Sequence, residues 1–127
     1  MRLFKTRDFA RFARKEGVTD AQLCEAIERA ERGLIDADLG SGVIKQRVAR
    51  PGKGRSGRNR TLIAYRTEAR AIFLYGFAKN AKANVTTAEL AALRRLAAEY
   101  LGYDTKQVEA HLKNDAWTEV ICDAEQV

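Results

Sequence analysis

Thr61-Leu62-Ile63-Ala64-Tyr65-Arg66-Thr67-Glu68-Ala69-Arg70-Ala71-Ile72-Phe73-Leu74-Tyr75-Gly76-Phe77 decides the fold. Two short runs rich in β-branched and aromatic residues flank the polar link Thr67-Glu68-Ala69-Arg70, whose length suits a hairpin. The second run is almost continuously apolar, which places it centrally in a sheet. Just upstream, Val43-Ile44-Lys45-Gln46-Arg47-Val48 sets Ile44 and Val48 on one parity and Lys45 and Arg47 on the other. A strand there sends two cations to a single face. Between these strands lies Arg50-Pro51-Gly52-Lys53-Gly54-Arg55-Ser56-Gly57-Arg58-Asn59-Arg60, with five positive charges, three glycines, the only proline and no acid.

Farther out, the pattern changes to helical spacing. Met1 to Thr6 reads as a short strand. Asp8 is positioned to cap a short helix that runs to Glu16, with Phe9, Phe12 and Ala13 on its apolar side, and Gly17 ends it. Thr19 and Gln22 form a capping box, stapled by Val18 and Leu23, that opens a helix over Thr19 to Arg32. Leu23, Ala26, Ile27, Ala30 and Leu34 form its apolar face. Its charged face (Glu25, Glu28, Arg29, Glu31, Arg32) reads as solvated, and Gly33 as the terminator. Asp36 to Gly42 contains turn residues. Beyond the hairpin, Lys79 to Asn84 is polar loop. Thr86 and Glu89 repeat the capping box before a helix that buries Leu90, Leu93, Leu96, Ala97, Tyr100 and Leu101 and ends at Gly102. Asp104 or Thr105 caps a shorter helix with Val108 and Leu112, and Trp117 to Ile121 supplies a last strand. The order β-α-α-β-β-β-α-α-β describes an α+β fold, a small mainly antiparallel sheet with helices packed on one side. At 127 residues one domain, 1–127, is expected.

The charge is unevenly spread. Residues 43–82 hold eleven Lys or Arg and a single acid, Glu68, whereas the rest of the chain carries a net negative charge within an overall +6. A segment this basic calls for a partner rich in negative charge, and a phosphate backbone is the commonest. Cys24 and Cys122 show no ligand spacing and are expected as small buried thiols in a reducing compartment. No secretory leader or membrane-length apolar run is evident, so a cytoplasmic protein is expected.

Gly52-Lys53-Gly54-Arg55-Ser56-Gly57 matches G-x-G-x-x-G by letter, but a strand follows it rather than the helix whose N-terminus binds a pyrophosphate. A solvated hairpin loop and a flexible clamp for a phosphate backbone both remain open. The chemistry is narrowed by what the basic third lacks. One acid, Glu68, is too few to hold the ions of a metal-dependent nuclease. The only histidine, His111, falls on a helix outside the basic region. RNA, however, carries its own nucleophile, the 2′-hydroxyl. Arginines suit neutralisation of the extra phosphate charge, and a lysine crowded by cations can act as a base.

The run Val43 to Gly57, followed by Arg60-Thr61-Leu62-Ile63-Ala64-Tyr65-Arg66 and Phe73-Leu74-Tyr75-Gly76-Phe77-Ala78-Lys79-Asn80, resembles the RelE-type toxins of bacterial type II toxin–antitoxin systems, closest to the HigB-like branch of the RelE/ParE superfamily. Asn84 and Thr87-Ala88-Glu89-Leu90 also fit. The resemblance implies a microbial-RNase-like fold and a metal-independent, cofactor-free endoribonuclease (an mRNA interferase) that cuts mRNA on the ribosome and inhibits translation. It implies a cognate antitoxin with a helix-turn-helix DNA-binding domain, operator DNA reached only through that antitoxin, and no membrane partner. Carried onto this chain, it implies Arg60 and Arg66 as phosphate or transition-state binders and Lys79 as a base or phosphate ligand. Lys45, Arg47, Arg50, Lys53, Arg55 and Arg58 become RNA contacts. Tyr65 and Tyr75 either stack on bases or belong to the core. Residues 103–127 extend beyond many family members and read as an antitoxin contact or an extra strand. A ParE-like DNA gyrase inhibitor and a non-enzymatic nucleic-acid-binding protein are the alternatives.

Overall fold

The computed structural model describes residues 1–48 and 59–122. Most of the loop quoted above, with Arg50, Lys53, Arg55 and Arg58, falls outside the described residues, as do the last five positions. The elements are β1 (Arg2–Thr6), α1 (Arg7–Glu16), α2 (Asp20–Glu31), β2 (Ala37–Gly40), β3 (Val43–Val48), β4 (Asn59–Arg66), β5 (Arg70–Ala78), α3 (Thr87–Leu101), α4 (Thr105–Lys113) and β6 (Trp117–Val120). The strands form one six-stranded sheet in the order β2-β3-β4-β5-β1-β6. Every pairing is antiparallel except β1 with β5, which is parallel. The α+β class therefore holds.

The placement of the helices differs from expectation. They cover both faces of the sheet. Leu3, Ile44, Val48, Ile63, Ala71 and Phe73 pack with Phe9, Leu23, Ala26 and Ile27 of α1 and α2. The alternate residues Phe4, Val43, Leu62, Ala64, Ile72 and Leu74 pack with Ala97, Leu101 and Val108 of α3 and α4. The reason is in the quoted stretch: a strand apolar at consecutive positions has two faces to cover. In β5 the register slips by one residue, so that Leu62 faces Tyr75 while Ile63 faces Phe73. The extra residue, Leu74, is a bulge. It brings Tyr75 and Phe77 to the same face as Ile72 and Leu74.

The helix starts follow the capping rules. Thr19 with Gln22, Thr86 with Glu89 and Asp104 with Gln107 all close reciprocal capping boxes. Helix α1 is capped by Thr6, not Asp8: the Thr6 hydroxyl accepts from the Phe9 amide at 3.1 Å. Asp8 instead lies in the first turn, where its charge suits the helix dipole. Gly17 ends α1 in the left-handed region, φ 70°. At the end of α3, Gly102 is not left-handed. Its amide still bonds the Glu99 and Tyr100 carbonyls, and the Arg70 guanidinium donates to the carbonyls of Tyr100 and, just past the helix, Tyr103 at 3.0 and 2.9 Å. Within the turn-rich Asp36 to Gly42, a short edge strand forms that was not expected.

After residue 102 the chain builds α4 and then β6, which pairs antiparallel with β1. The segment supplies an extra strand, as one of the two readings had it. Its arrival also corrects the cysteine expectation. Helix α2 packs on β1's face and β6 lies beside β1, so Cys24 and Cys122 meet with Cα atoms 5.6 Å apart and form a disulfide, within the usual span for such a bond. Sequence separation concealed this, because only the completed sheet brings the two together. The buried amide of Gln46 fastens the other side: it donates to the Ala26 and Leu34 carbonyls at 2.9 and 3.3 Å and accepts from the Asp36 amide at 2.7 Å. No helix among the described residues is long and apolar enough to cross a membrane.

Candidate nucleic-acid interface

Strand register assembles a cationic face at one end of the sheet. Arg47 stands opposite Arg60, and Arg60 opposite Phe77. Two residues further in, on the same face, Lys45 stands opposite Leu62 and Leu62 opposite Tyr75. With strands about 4.8 Å apart, these side chains share the face that α3 covers farther along the sheet. Arg47 is exposed, while Lys45 and Arg60 are half-buried. Lys79 is exposed in the turn directly after Ala78, which pairs with Asn59, so it belongs to the same end.

The other predicted residues separate. Arg66 is exposed at the hairpin end of β4, opposite Arg70. Six residues of strand put it about 20 Å from Arg60, too far for both to hold one phosphate. Tyr65 lies on the α1–α2 face, and its hydroxyl donates to Glu31. The same carboxylate accepts from the Thr67 hydroxyl at 3.1 Å and the Glu68 amide at 3.3 Å. These hydrogen bonds, the one from Tyr65 foremost, hold the Glu31 carboxyl below its ordinary value. Tyr65 is thus a clamp between α2 and the β4–β5 turn, on the opposite face from Arg60. His111 lies in an aromatic cluster with Tyr100, Tyr103 and Trp117 on the other flank of the sheet.

Arg47 is partly neutralised. Asp36 accepts from its backbone amide at 2.7 Å and its guanidinium at 3.3 Å. Burial of Asp36 opposes ionisation, yet these two bonds and the nearby Arg29 keep its carboxyl below the ordinary range. Arg29 in turn donates to the Arg47 carbonyl at 2.6 Å. Side chains of Asp36 and Arg29 thereby satisfy the outer edge of β3 where β2 does not reach, a device that also discourages edge pairing. The α2 face that read as merely solvated is structural in Arg29 and Glu31.

Sequence reasoning missed Lys82. Its ammonium donates to both oxygens of Glu89 at 2.6 and 2.7 Å and to the Tyr75 hydroxyl at 3.1 Å. Glu89 simultaneously accepts from the Thr86 amide at 2.8 Å as half of the capping box. The Lys82 bond is the main reason the Glu89 carboxyl falls to about 2, and Glu89 in turn raises Lys82. The capping box itself was legible; nothing in it signalled that Glu89 has a second partner in the preceding loop. This arrangement presents several cations, Arg47 and Lys82 held by ion pairs, and a tethered phenol on one surface. It is suited to holding a phosphodiester and meeting charge that develops there.

A family model described as the RelE toxin of the RelE/RelB toxin–antitoxin system matches residues 1–120. No curated protein matches the chain.

Proposed function

The chain belongs to the RelE family of toxins of toxin–antitoxin systems, and from that premise we propose that it is a ribosome-dependent, metal-independent mRNA endonuclease of the HigB-like type. A RelE toxin implies an antitoxin partner. In this proposal the antitoxin is a helix-turn-helix DNA-binding protein that carries the pair to operator DNA, and the toxin works in the cytoplasm, where ribosomes and mRNA are and where a reducing poise favours the dithiol form, so the Cys24–Cys122 bond belongs to the oxidised protein. Residues 1–127 act as one domain.

The observation that supports this reading most is the register that aligns Lys45, Arg47, Arg60 and Tyr75 on one face, with Lys79 at its end. In the proposed reaction the 2′-hydroxyl gives its proton to water as its oxygen attacks the adjacent phosphorus, the P–O5′ bond breaks, and the departing 5′ oxygen takes up a proton, leaving a 2′,3′-cyclic phosphate and a 5′-hydroxyl. Arg60 and Arg47 neutralise charge on the non-bridging oxygens, and Lys45 and Lys79 hold the flanking backbone. The ribosome supplies alignment of the 2′-hydroxyl, a contribution that can be worth several orders of magnitude. Arg66 grips the RNA away from the scissile bond, and Arg50, Lys53, Arg55 and Arg58 steer it.

The test is induction in bacteria with mRNA 5′ ends mapped by primer extension. Cuts within translated messages that vanish in Arg60→Ala support the reading. Growth arrest with DNA damage and intact messages overturns it in favour of gyrase inhibition. Absence of any growth defect leaves a nucleic-acid-binding protein.

A further inference from the structure

Tyr75 differs from the other tyrosines in what holds its hydroxyl. Its oxygen receives a hydrogen bond from the Lys82 ammonium at 3.1 Å. That ammonium is itself locked by both Glu89 oxygens and sits 5.4 Å from the Tyr75 ring centre. The phenol's own proton has a poor internal acceptor, because the nearest carboxylate oxygen, Glu89 Oε2, is 3.4 Å away. At that distance a hydroxyl hydrogen bond is weak. The proton is therefore available to an acceptor arriving from outside, and the cation against the oxygen stabilises the phenolate left behind. Lys82 cannot play the base in this arrangement, since its pairing with Glu89 keeps it charged.

The location matches. Tyr75 stands opposite Leu62, two residues in from Arg60 on the same face, and diagonal neighbours on one face of antiparallel strands lie about 7–8 Å apart at their Cα atoms. The bulge at Leu74 is what brings Tyr75 to this face.

We propose that Tyr75 is the general acid of the cleavage, positioned and polarised by Lys82 and Glu89. This rests on the nuclease reading above. The step balances simply: as the P–O5′ bond breaks, the phenolic O–H proton passes to the departing 5′ oxygen. The phenolate beside Lys82 then recovers a proton from water. Lys82 and Glu89 are positioning residues, since they act through Tyr75.

The experiment is single-turnover cleavage of ribosome-bound mRNA by the full chain, with two substrates. One has the natural 5′-oxygen at the cut site; the other has 5′-sulfur there, whose thiolate leaves without a proton. On the natural substrate, Tyr75→Phe is expected to slow cleavage about 100-fold or more, the usual scale for loss of a general acid. Lys82→Met is expected to slow it about tenfold or more, and the double variant no further than Tyr75→Phe alone. On the sulfur substrate all three should cut at close to the wild-type rate, and Lys82→Arg should recover part of the loss on oxygen. Equal losses on both substrates would assign Tyr75 a structural or binding role and overturn the proposal, as would a Tyr75→Phe rate within about threefold of wild type on oxygen. If the wild-type chain cuts neither substrate, the nuclease reading itself fails and this assignment falls with it.

Discussion

The Cys24–Cys122 disulfide closes a loop of 98 residues, nearly the whole chain. Removing such a link frees the unfolded ensemble far more than the folded one. For a loop of this size the chain-entropy estimate is about 4.7 kcal/mol at 25 °C. An unfolding entropy of about 2.1 cal/mol/K per residue over 127 residues converts that into a fall in Tm on the order of 15–18 °C. Serine is close to cysteine in volume, so Cys24→Ser and Cys122→Ser add little packing loss, although Cys24, within α2, is partly buried against the core. The assay is thermal unfolding followed by circular dichroism, with the oxidised protein, the same protein in excess dithiol, each single variant and the double variant. Dithiol should lower the wild-type Tm to that of the double variant and leave the double variant unmoved. A wild-type Tm that dithiol shifts by less than about 3 °C, with both thiols then reactive to maleimide, would refute the reasoning: it would show that β6 and α2 stay together in the unfolded reference or that the bond is not formed in solution.

Other consequences are as specific. Arg60→Ala should reduce mRNA cleavage by about 100-fold or more, the scale for loss of one charge-stabilising donor. Arg66→Ala, about 20 Å away along β4, should cost less than tenfold; equal losses in initial-rate assays would mean that the two arginines act at one phosphate. Gly76 lies under the Phe12 ring, and an added methyl group would run into that ring. Gly76→Ala is therefore expected to lower stability by about 1–3 kcal/mol in urea unfolding, and Phe12→Leu should relieve part of it. Glu89 titrates at about 2 in the folded protein against an ordinary 4.5. Its contribution to stability is complete above about pH 4.5 and is lost as pH falls through 2. Between pH 5 and pH 2 the wild type should thus lose more Tm than Glu89→Gln, and parallel curves would contradict the pairing with Lys82.

Local signals were legible because their causes are local. Thr19 with Gln22 and Thr86 with Glu89 satisfy helix-end amides within four residues, and the Val43–Val48 parity is a property of the strand itself. Thr6 outcompeted Asp8 as a cap because α1 begins at Arg7, directly after β1, and so places Asp8 already inside its first turn. Ala37-Asp38-Leu39-Gly40 carries two turn formers and is a strand only because β3 offers it an edge and Arg94 of α3 holds the Leu39 carbonyl at 2.8 Å. The site divides in the same way. Arg47 and Arg60 could be grouped from strand pattern and charge, yet Arg66 shares their parity and still lies at the far end of its strand. Tyr65 and Tyr75 look alike in sequence and face opposite sides because of the extra residue at Leu74. Lys82 gave no signal, since its partners Tyr75 and Glu89 come from different elements.

The position of β1 has a consequence for synthesis of the chain. Strands β3, β4 and β5 pair with their sequence neighbours, so the surface carrying Arg47, Arg60 and Tyr75 needs only local hairpins to form. β1 is made first but must wait for residues 70–73 on one side and 117–120 on the other, and such distant closures are the slow part of folding. A nascent chain that stops before Trp117 therefore has the elements of the cationic face together with an uncovered β1 edge, the kind of edge that invites aggregation. Pairing of β6, rather than formation of the binding surface, marks the moment at which β1 ceases to be an open edge.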